Sequence, residues 1–216
     1  MKKLVAVVLL VCVMMSWAVA EEPGHFLVEL LDQMDLETLK YVKGEVEKEI
    51  IERRAESALD PDNTGIWEKA YYVDEFNAPT DSAYIRNKTM IKGTFSNSAT
   101  NNSLVNVRLL IDERPAIMLW EYGSNQVKNS VSSTRQYQII IKDESGEKTS
   151  FFGSIPSKGD RIFPYSSEND AVLIDMLKKP QVLNFYIEDM RYGNDKYRFD
   201  VDTIGFANIY AAVFGK

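Results

Sequence analysis

The spacing of apolar residues divides the chain into a helical stretch and a body of strands. Within residues 26–58 the apolar positions recur at steps of three and four, the period of an amphipathic helix. They are Leu27, Leu30, Leu31, Met34, Leu39, Val42, Val46 and Ile50. Asp35 is a candidate N-cap because its carboxylate can accept from the first free amides. The pattern predicts a short helix, a break near Asp35 and a longer helix that ends at about Ser57.

From Trp67 onward the period changes to two, which is typical of strands with one buried and one wet face. The inward positions are predicted to be Val105, Val107, Leu109 and Ile111, then Tyr137, Ile139 and Ile141, and finally Tyr197, Phe199 and Val201. Short turn sequences join these segments, so successive strands should be antiparallel. Two short helices interrupt or close the sheet. We expect the first to be capped by Ser167, with Val172, Leu173, Met176 and Leu177 on its inner face, and the second to start at Asp202 or Thr203.

These elements predict an α+β fold: an antiparallel β-sandwich or curved sheet with two short helices, preceded by an N-terminal helical segment. The predicted division is a signal peptide at 1–20, a helical segment at 21–58, a linker at 59–66 and an antiparallel β domain at 67–216. We expect the β domain to fold without residues 21–58. The helical segment is expected to pack on its own domain, and a homodimer through this helix is the alternative.

The first residues have the three parts of a secretory signal. Lys2 and Lys3 form a positive start, residues 4–15 are almost wholly apolar, and residues 18–20 supply small side chains for cleavage. We expect cleavage after Ala20, a periplasmic or secreted protein, and no stable membrane insertion afterwards, because the run is shorter than the ~20 residues of a spanning helix. A lipid on Cys12 is the alternative, but Val11 stands where a lipobox needs a small residue.

Charge and composition narrow the classes of partner and chemistry. The chain has 25 Lys and Arg against 32 Asp and Glu; loss of Lys2 and Lys3 leaves 23 against 32 and moves the net charge from -7 to -9. Nucleic-acid binders carry a basic patch or stripe, so nucleic acid is not an expected partner. Cys12 is the only cysteine and His25 the only histidine. Histidine-dependent triads, zinc sites and a disulfide framework are therefore not expected, and no cofactor motif is present.

Paired carboxylates are the one catalytic option that the composition leaves, since glycoside hydrolysis needs only two Asp or Glu residues. Glu121 is the most suggestive carboxylate because Trp120 and Tyr122 flank it, and apolar walls raise a carboxyl pKa. The competing interpretation places Glu121 at the exposed end of a strand while Trp120 packs, and we favour it.

A binding surface is predicted around residues 120–126. If Ile117 and Leu119 face the core, Met118, Trp120 and Tyr122 line the opposite face. That face is either covered by a second layer or exposed as a binding patch. In the second case Asn125 and Gln126 would orient a ligand, with Glu121 at the rim.

A half-matched calcium loop follows the helix. Asp60, Asp62 and Thr64 place oxygen atoms at the first, third and fifth positions, and a glycine holds the sixth. The twelfth position is Tyr71, where a glutamate should close the shell. A turn that ends the helix explains the same residues, so no metal is expected.

Three segments, residues 72–80, 93–100 and 205–207, resemble uncharacterised secreted or lipoprotein-type bacterial proteins, over Trp67 to the C-terminus. The order of a tryptophan, a Pro-Thr loop, a strand bearing Arg108 and a phenylalanine-rich strand before a Gly-Phe helix is similar to type VI secretion-associated VasI-like proteins. Both resemblances imply a β body in the cell envelope, and neither implies a set of catalytic residues.

Two functions remain as expectations. The first is an exported, non-enzymatic binding module with a protein or glycan partner. The second is a carboxylate-based glycan hydrolase. The missing nucleophile and base favour the first, although a fold alone never decides function.

Overall fold

A computed structural model describes residues 34–191 and 195–215, which form three helices and eleven strands in an α+β arrangement. The helices are Leu36–Leu59 (α1), Ser167–Lys178 (α2) and Phe206–Phe214 (α3). The strands are Trp67–Val73 (β1), Pro79–Asn87 (β2), Ile91–Ser96 (β3), Ser103–Ile111 (β4), Pro115–Glu121 (β5), Asn125–Gln126 (β6), Arg135–Lys142 (β7), Lys148–Ile155 (β8), Phe163–Pro164 (β9), Val182–Asp189 (β10) and Lys196–Asp202 (β11). The described chain divides into two units, with the boundary between Arg53 and Arg54.

Helix α1 begins where the sequence predicts. The Asp35 Oδ1 atom accepts a hydrogen bond from the Thr38 backbone amide at 2.9 Å, which caps the helix. The helix ends at Leu59, two residues beyond the predicted end, and none of its 24 residues is buried. The predicted short helix before Asp35, the signal peptide and Cys12 lie outside the described residues. No helix in the described part of the chain has the length and apolar character needed to cross a membrane.

All eleven strands belong to one antiparallel sheet. The order β1-β2-β4-β3-β11-β10-β7-β8-β9 runs along the sheet, and β5 pairs with both β4 and β6. On one edge β4 pairs with β3 through its first half and with β2 through its second half; β5 occupies the other edge. The sheet curls so that β5 meets the residue before β9, where Ile117 and Ile162 exchange two backbone hydrogen bonds of 2.9 Å. Of the two predicted arrangements, the structure is therefore the curved sheet.

The core fills the inside of this curled sheet, and the predicted alternation is confirmed at all ten inward positions of β4, β7 and β11. Trp67 is completely buried and meets Phe206 of α3 edge-on, with ring centroids 4.9 Å apart. Burial of such large rings is a main source of stability in a chain without disulfides.

The predicted cap of α2 is wrong by one residue, and the predicted start of α3 is wrong by three or four. The cap of α2 is Ser166, whose hydroxyl accepts from the Asn169 amide, because Ser167 already has helical geometry. Leu173 and Leu177 are buried as predicted, whereas Val172 is 38% exposed. Helix α3 begins at Phe206 after Gly205, which has a φ of 77°. A Cβ at this position would lie 2.6 Å from the Asn63 carbonyl oxygen, so only glycine fits.

Candidate functional site

Strand β5 presents two different faces. Ile117 and Leu119 are buried, and Met118 and Trp120 point away from the core, as the alternation predicts. In the register with β4, Met118 is opposite Arg108 and Trp120 is opposite Asn106. The outer face of β5 therefore lies beside the polar outer face of β4.

A groove of about 240 Å³ lies on this outer face, and we call it the Trp120 groove. It is lined by Tyr84, Arg86, Met90, Arg108, Leu110, Met118, Trp120 and Arg161. The outward residues of β2, β4 and β5 supply most of this lining, and Arg161 comes from the segment before β9. Trp120 is half-buried, so it is neither covered by a second layer nor fully exposed.

Three arginines meet in this groove, but two of them already have acidic partners. The Arg86 Nε atom lies 2.7 Å from Glu68 Oε1, and Arg161 Nε lies 3.5 Å from Asp160 Oδ1. Arg108 has no ion pair within residues 34–191 and 195–215, and its buried Nε has no hydrogen-bond partner there. Arg108 is therefore the groove arginine whose positive charge no acidic side chain offsets among the described residues.

The carboxylates of Glu68, Asp112 and Asp160 contact side chains that line the groove or lie next to it. The Tyr72 hydroxyl donates to Asp112 Oδ2 at 2.6 Å, and its ring lies 4.8 Å from that of Tyr84. Burial, together with this hydrogen bond and the charge of Asp112, raises the pKa of Tyr72 to about 12. Tyr72 therefore remains a donor at neutral pH.

The predicted ligand-binding residues do not all belong to this groove. Tyr122 has a φ of 52°, and its ring packs edge-on against the core residue Phe95 at 4.9 Å. The prediction that it shares a face with Trp120 is wrong, because alternation ends where the strand ends. Gln126 pairs with Trp120 and donates to Asp160 Oδ2 at 3.0 Å, which places it at the rim. Asn125 is exposed and pairs with Glu121 in the backbone ladder.

Glu121 belongs to a separate, partly buried polar cluster. Its Oε1 atom accepts a 2.8 Å hydrogen bond from the Tyr197 hydroxyl. Burial raises the pKa of Glu121, the Tyr197 hydrogen bond opposes this, and nearby Asp195 adds to the rise. Burial also raises the pKa of Tyr137 and Tyr197, so both phenols stay protonated.

Arg135 neutralises the other acids of this cluster. Its Nη2 atom lies 2.7 Å from Asp189 Oδ2 and 2.6 Å from Asp195 Oδ2, and the Asp189 side chain is fully buried. The Tyr137 hydroxyl is buried without a partner among the described residues. A glycosidase needs one carboxyl as acid and a second as base or nucleophile. Among the three acids of this cluster, Asp189 and Asp195 form direct ion pairs with Arg135, and the charge of Arg135 also lowers the pKa of Glu121. The cluster therefore matches a structural network better than a catalytic pair.

We predict that Glu121 makes stability depend on pH. Its folded pKa is raised above the ordinary value of 4.5, so its contribution is complete below pH 4.5 and is lost as the pH rises through the folded pKa. Glu121→Gln keeps an acceptor for Tyr197 and cannot ionise. In urea unfolding between pH 4 and 8, this variant should gain stability relative to the wild type as the pH rises. Glu75→Gln, at an exposed position, is the control, and its stability should follow that of the wild type at every pH. If the stability of Glu121→Gln also runs parallel to that of the wild type, the prediction is contradicted.

The segment that resembles half a calcium loop is a hydrogen-bonded turn. The Asp60 Oδ1 atom accepts from the Asp62 amide at 3.0 Å. The Lys88 ammonium donates to Thr64 Oγ1 at 3.1 Å and to the Gly65 carbonyl at 2.9 Å, so a cationic side chain already uses these oxygens. Within residues 34–191 and 195–215, no group of three or more His, Cys, Asp or Glu side chains is arranged to hold a metal ion.

We therefore predict that millimolar calcium leaves the melting temperature unchanged. The ammonium of Lys88 would have to leave before a cation could reach Thr64, and no carboxylate closes the shell at Tyr71. Differential scanning calorimetry with calcium and with a chelator measures this. A clear stabilisation that Asp60→Ala abolishes would contradict it.

Comparison with protein-family models, with curated proteins and with solved structures finds no significant match. Sequence reasoning selected Trp120, Glu121 and Gln126 but missed Tyr84, Arg86 and Arg161, which lie far from Trp120 in sequence. The outward position of Tyr84 and Arg86 in β2 was the available signal for these two residues, and Arg161, which precedes β9, had none.

Proposed function

We propose that the protein is an exported, non-enzymatic binding module and that the Trp120 groove is its ligand site. The observation that carries this proposal is an open groove in which Trp120 and Tyr84 lie with three arginines on the surface of an acidic chain. Tryptophan, tyrosine and arginine are the residue types that contribute most at binding sites. A few polar groups among apolar walls are typical of ligand pockets.

A glycan hydrolase is the second candidate, and one observation favours it: the raised pKa of Glu121, which a general acid requires. The ion pairs of Arg135 with Asp189 and Asp195 weigh against it, because they occupy the carboxylates that would act as the base or nucleophile. Binding without catalysis is therefore the better-supported function. The predicted homodimer through α1 remains a separate proposal, which sedimentation analysis of the full chain would test.

Export is part of the proposal and rests on the signal-like pattern of residues 1–20. The resemblance to secreted and VasI-like proteins leads to the same compartment. Intact-mass measurement of the protein from cell fractions should show Glu21 as the first residue and no lipid. A protein that keeps residues 1–20, or that carries acyl chains on Cys12, would contradict this part.

The binding function is tested with a glycan array and labelled protein. We expect the wild type to bind a subset of glycans and Trp120→Ala to lose that binding while its melting temperature changes little. Tyr122→Ala is the matched control, because Tyr122 packs on Phe95 rather than in the groove, and it should bind as the wild type does. If Trp120→Ala instead costs the ~3 to 5 kcal/mol typical of a buried tryptophan, Trp120 is a core residue and the groove is not a site.

A further inference from the structure

We infer that the Trp120 groove binds a sugar unit that carries a single carboxylate, as a uronic acid does. This inference rests on the proposed function, because it names the ligand class of the same groove. It follows from the size of the groove, from Arg108 as the one groove arginine without an acidic partner among the described residues, and from the carboxylates that contact the groove residues.

The groove is small. Its volume of about 240 Å³ is below the ~300 to 1,000 Å³ of pockets that enclose drug-sized molecules. A single ring with its substituents fits this space better than an extended chain does. The flanking Trp120 and Tyr84 side chains offer flat surfaces against which the apolar C–H face of a sugar ring can pack.

The charges of the groove favour a ligand with one anionic group. Glu68 and Asp160 compensate Arg86 and Arg161, whereas Arg108 has no acidic partner in the described part of the chain. A planar guanidinium matches the two oxygens of a carboxylate and forms two parallel hydrogen bonds with it. A ligand carboxylate would thus give the Arg108 guanidinium the acidic partner that Arg86 and Arg161 already have.

Because carboxylates lie at the rim of the groove, we expect the rest of the ligand to be neutral and rich in hydroxyls. Glu68, Asp112 and Asp160 each contact a side chain in or next to the groove, through Arg86, Tyr72 and Arg161 respectively. Carboxylate oxygens accept hydrogen bonds from hydroxyls and repel further negative charge. With a net charge of -7 for the whole chain, an acidic peptide or a nucleic acid would meet repulsion that a single uronic acid unit avoids.

Titration calorimetry of the full chain tests the inference with methyl β-D-glucuronide and methyl β-D-glucoside as probes. We expect the wild type to bind the glucuronide about tenfold or more tightly than the glucoside, because a hydrogen bond to a charged group is among the stronger polar contacts. Arg108→Met should weaken glucuronide binding about ten- to a hundredfold and leave glucoside binding nearly unchanged. Arg108→Lys keeps the charge without the planar fork and should fall between the two. Arg198→Met, an exposed arginine over the Tyr186 ring on another part of the sheet, should bind as the wild type does.

The outcomes separate the inference from the proposed function. Equal binding of the two probes, lost in Trp120→Ala, would keep the groove as a binding site and overturn the selection for a carboxylate. Binding of glucose 6-phosphate at least tenfold tighter than the glucuronide would overturn the carboxylate in favour of a phosphate. Absence of binding to either probe, together with a blank glycan array, would overturn both. If Arg108→Met fails to fold, Arg108→Lys supplies the same comparison.

Discussion

Replacing Arg135 with methionine is expected to cost about 3 to 5 kcal/mol of unfolding free energy. The side chain of Arg135 is 17% exposed and holds two carboxylates, of which Asp189 is fully buried. Methionine fills part of the space, but it leaves the Asp189 charge in the protein interior without its cation. An unpaired buried charge is among the most destabilising changes a single substitution can make. Urea unfolding at pH 7 measures the loss.

Two variants show whether the loss comes from the buried charge. Arg53→Met removes an exposed ion pair on α1. The side chains of Arg53 and Glu49 in this pair are 60% and 41% exposed, so the substitution should cost only ~0.3 to 0.5 kcal/mol of unfolding free energy. The double variant Arg135→Met with Asp189→Asn removes the orphaned charge and should recover much of the stability. If the single Arg135→Met variant is as stable as Arg53→Met, the pair does not organise this end of the sheet.

Trp67→Ala is expected to cost about 3 to 5 kcal/mol, because truncating a fully buried tryptophan removes its burial and leaves a cavity. In a chain of this size, that loss lowers the melting temperature by about 6 to 20 °C. Trp67 is the first residue of β1, and its ring lies edge-on to that of Phe206, so this side chain joins the sheet to α3. Thermal unfolding followed by near-UV circular dichroism measures the change.

The matched control is Tyr71→Ala on the same strand, where the side chain is 45% exposed and the loss should stay below ~1 kcal/mol. Trp67→Phe should lose less than Trp67→Ala, since it keeps a ring against Phe206 and removes the indole N–H, which has no partner among the described residues. Equal effects of Trp67→Ala and Tyr71→Ala would show that the contact with α3 contributes little.

The strands of the body could be predicted because their inward residues follow a strict alternation. Val105, Val107, Leu109 and Ile111 are all at most 1% exposed, and the polar residues between them face outward. Period two reports directly which side of a sheet is buried. The start of β1 at Trp67 was visible for the same reason, since the apolar period changes there.

Helix boundaries and sheet closure were less accessible from the sequence. Ser166 and Ser167 are equally good caps on paper, and the choice depends on backbone geometry that only the fold fixes. The closure between Ile117 and Ile162 joins residues far apart in the chain, and no local pattern predicts which strands meet. The prediction therefore left a sandwich and a curved sheet as alternatives.

The residues of the candidate site also differ in whether the local sequence could predict their position. Trp120 could be selected because its orientation follows from its own strand, in which Ile117 and Leu119 face the core. The arginines of the groove lie on β2, on β4 and before β9, and only strand pairing brings them together. Tyr122 was misplaced because a positive φ reverses the direction of its side chain just after the strand ends.

Amide and indole chemical-shift mapping shows whether ligand binds at the Trp120 groove on the outer face of the sheet. A titration of ¹⁵N-labelled full chain with methyl β-D-glucuronide should shift the Trp120 indole and the amides around Arg86 and Arg108 on β2 and β4. The signals of Tyr197 and Arg135 should stay in place. Shifts centred on Glu121, Tyr197 and Arg135 instead would place the ligand in the buried polar cluster, contradict binding at the groove, and favour the hydrolase.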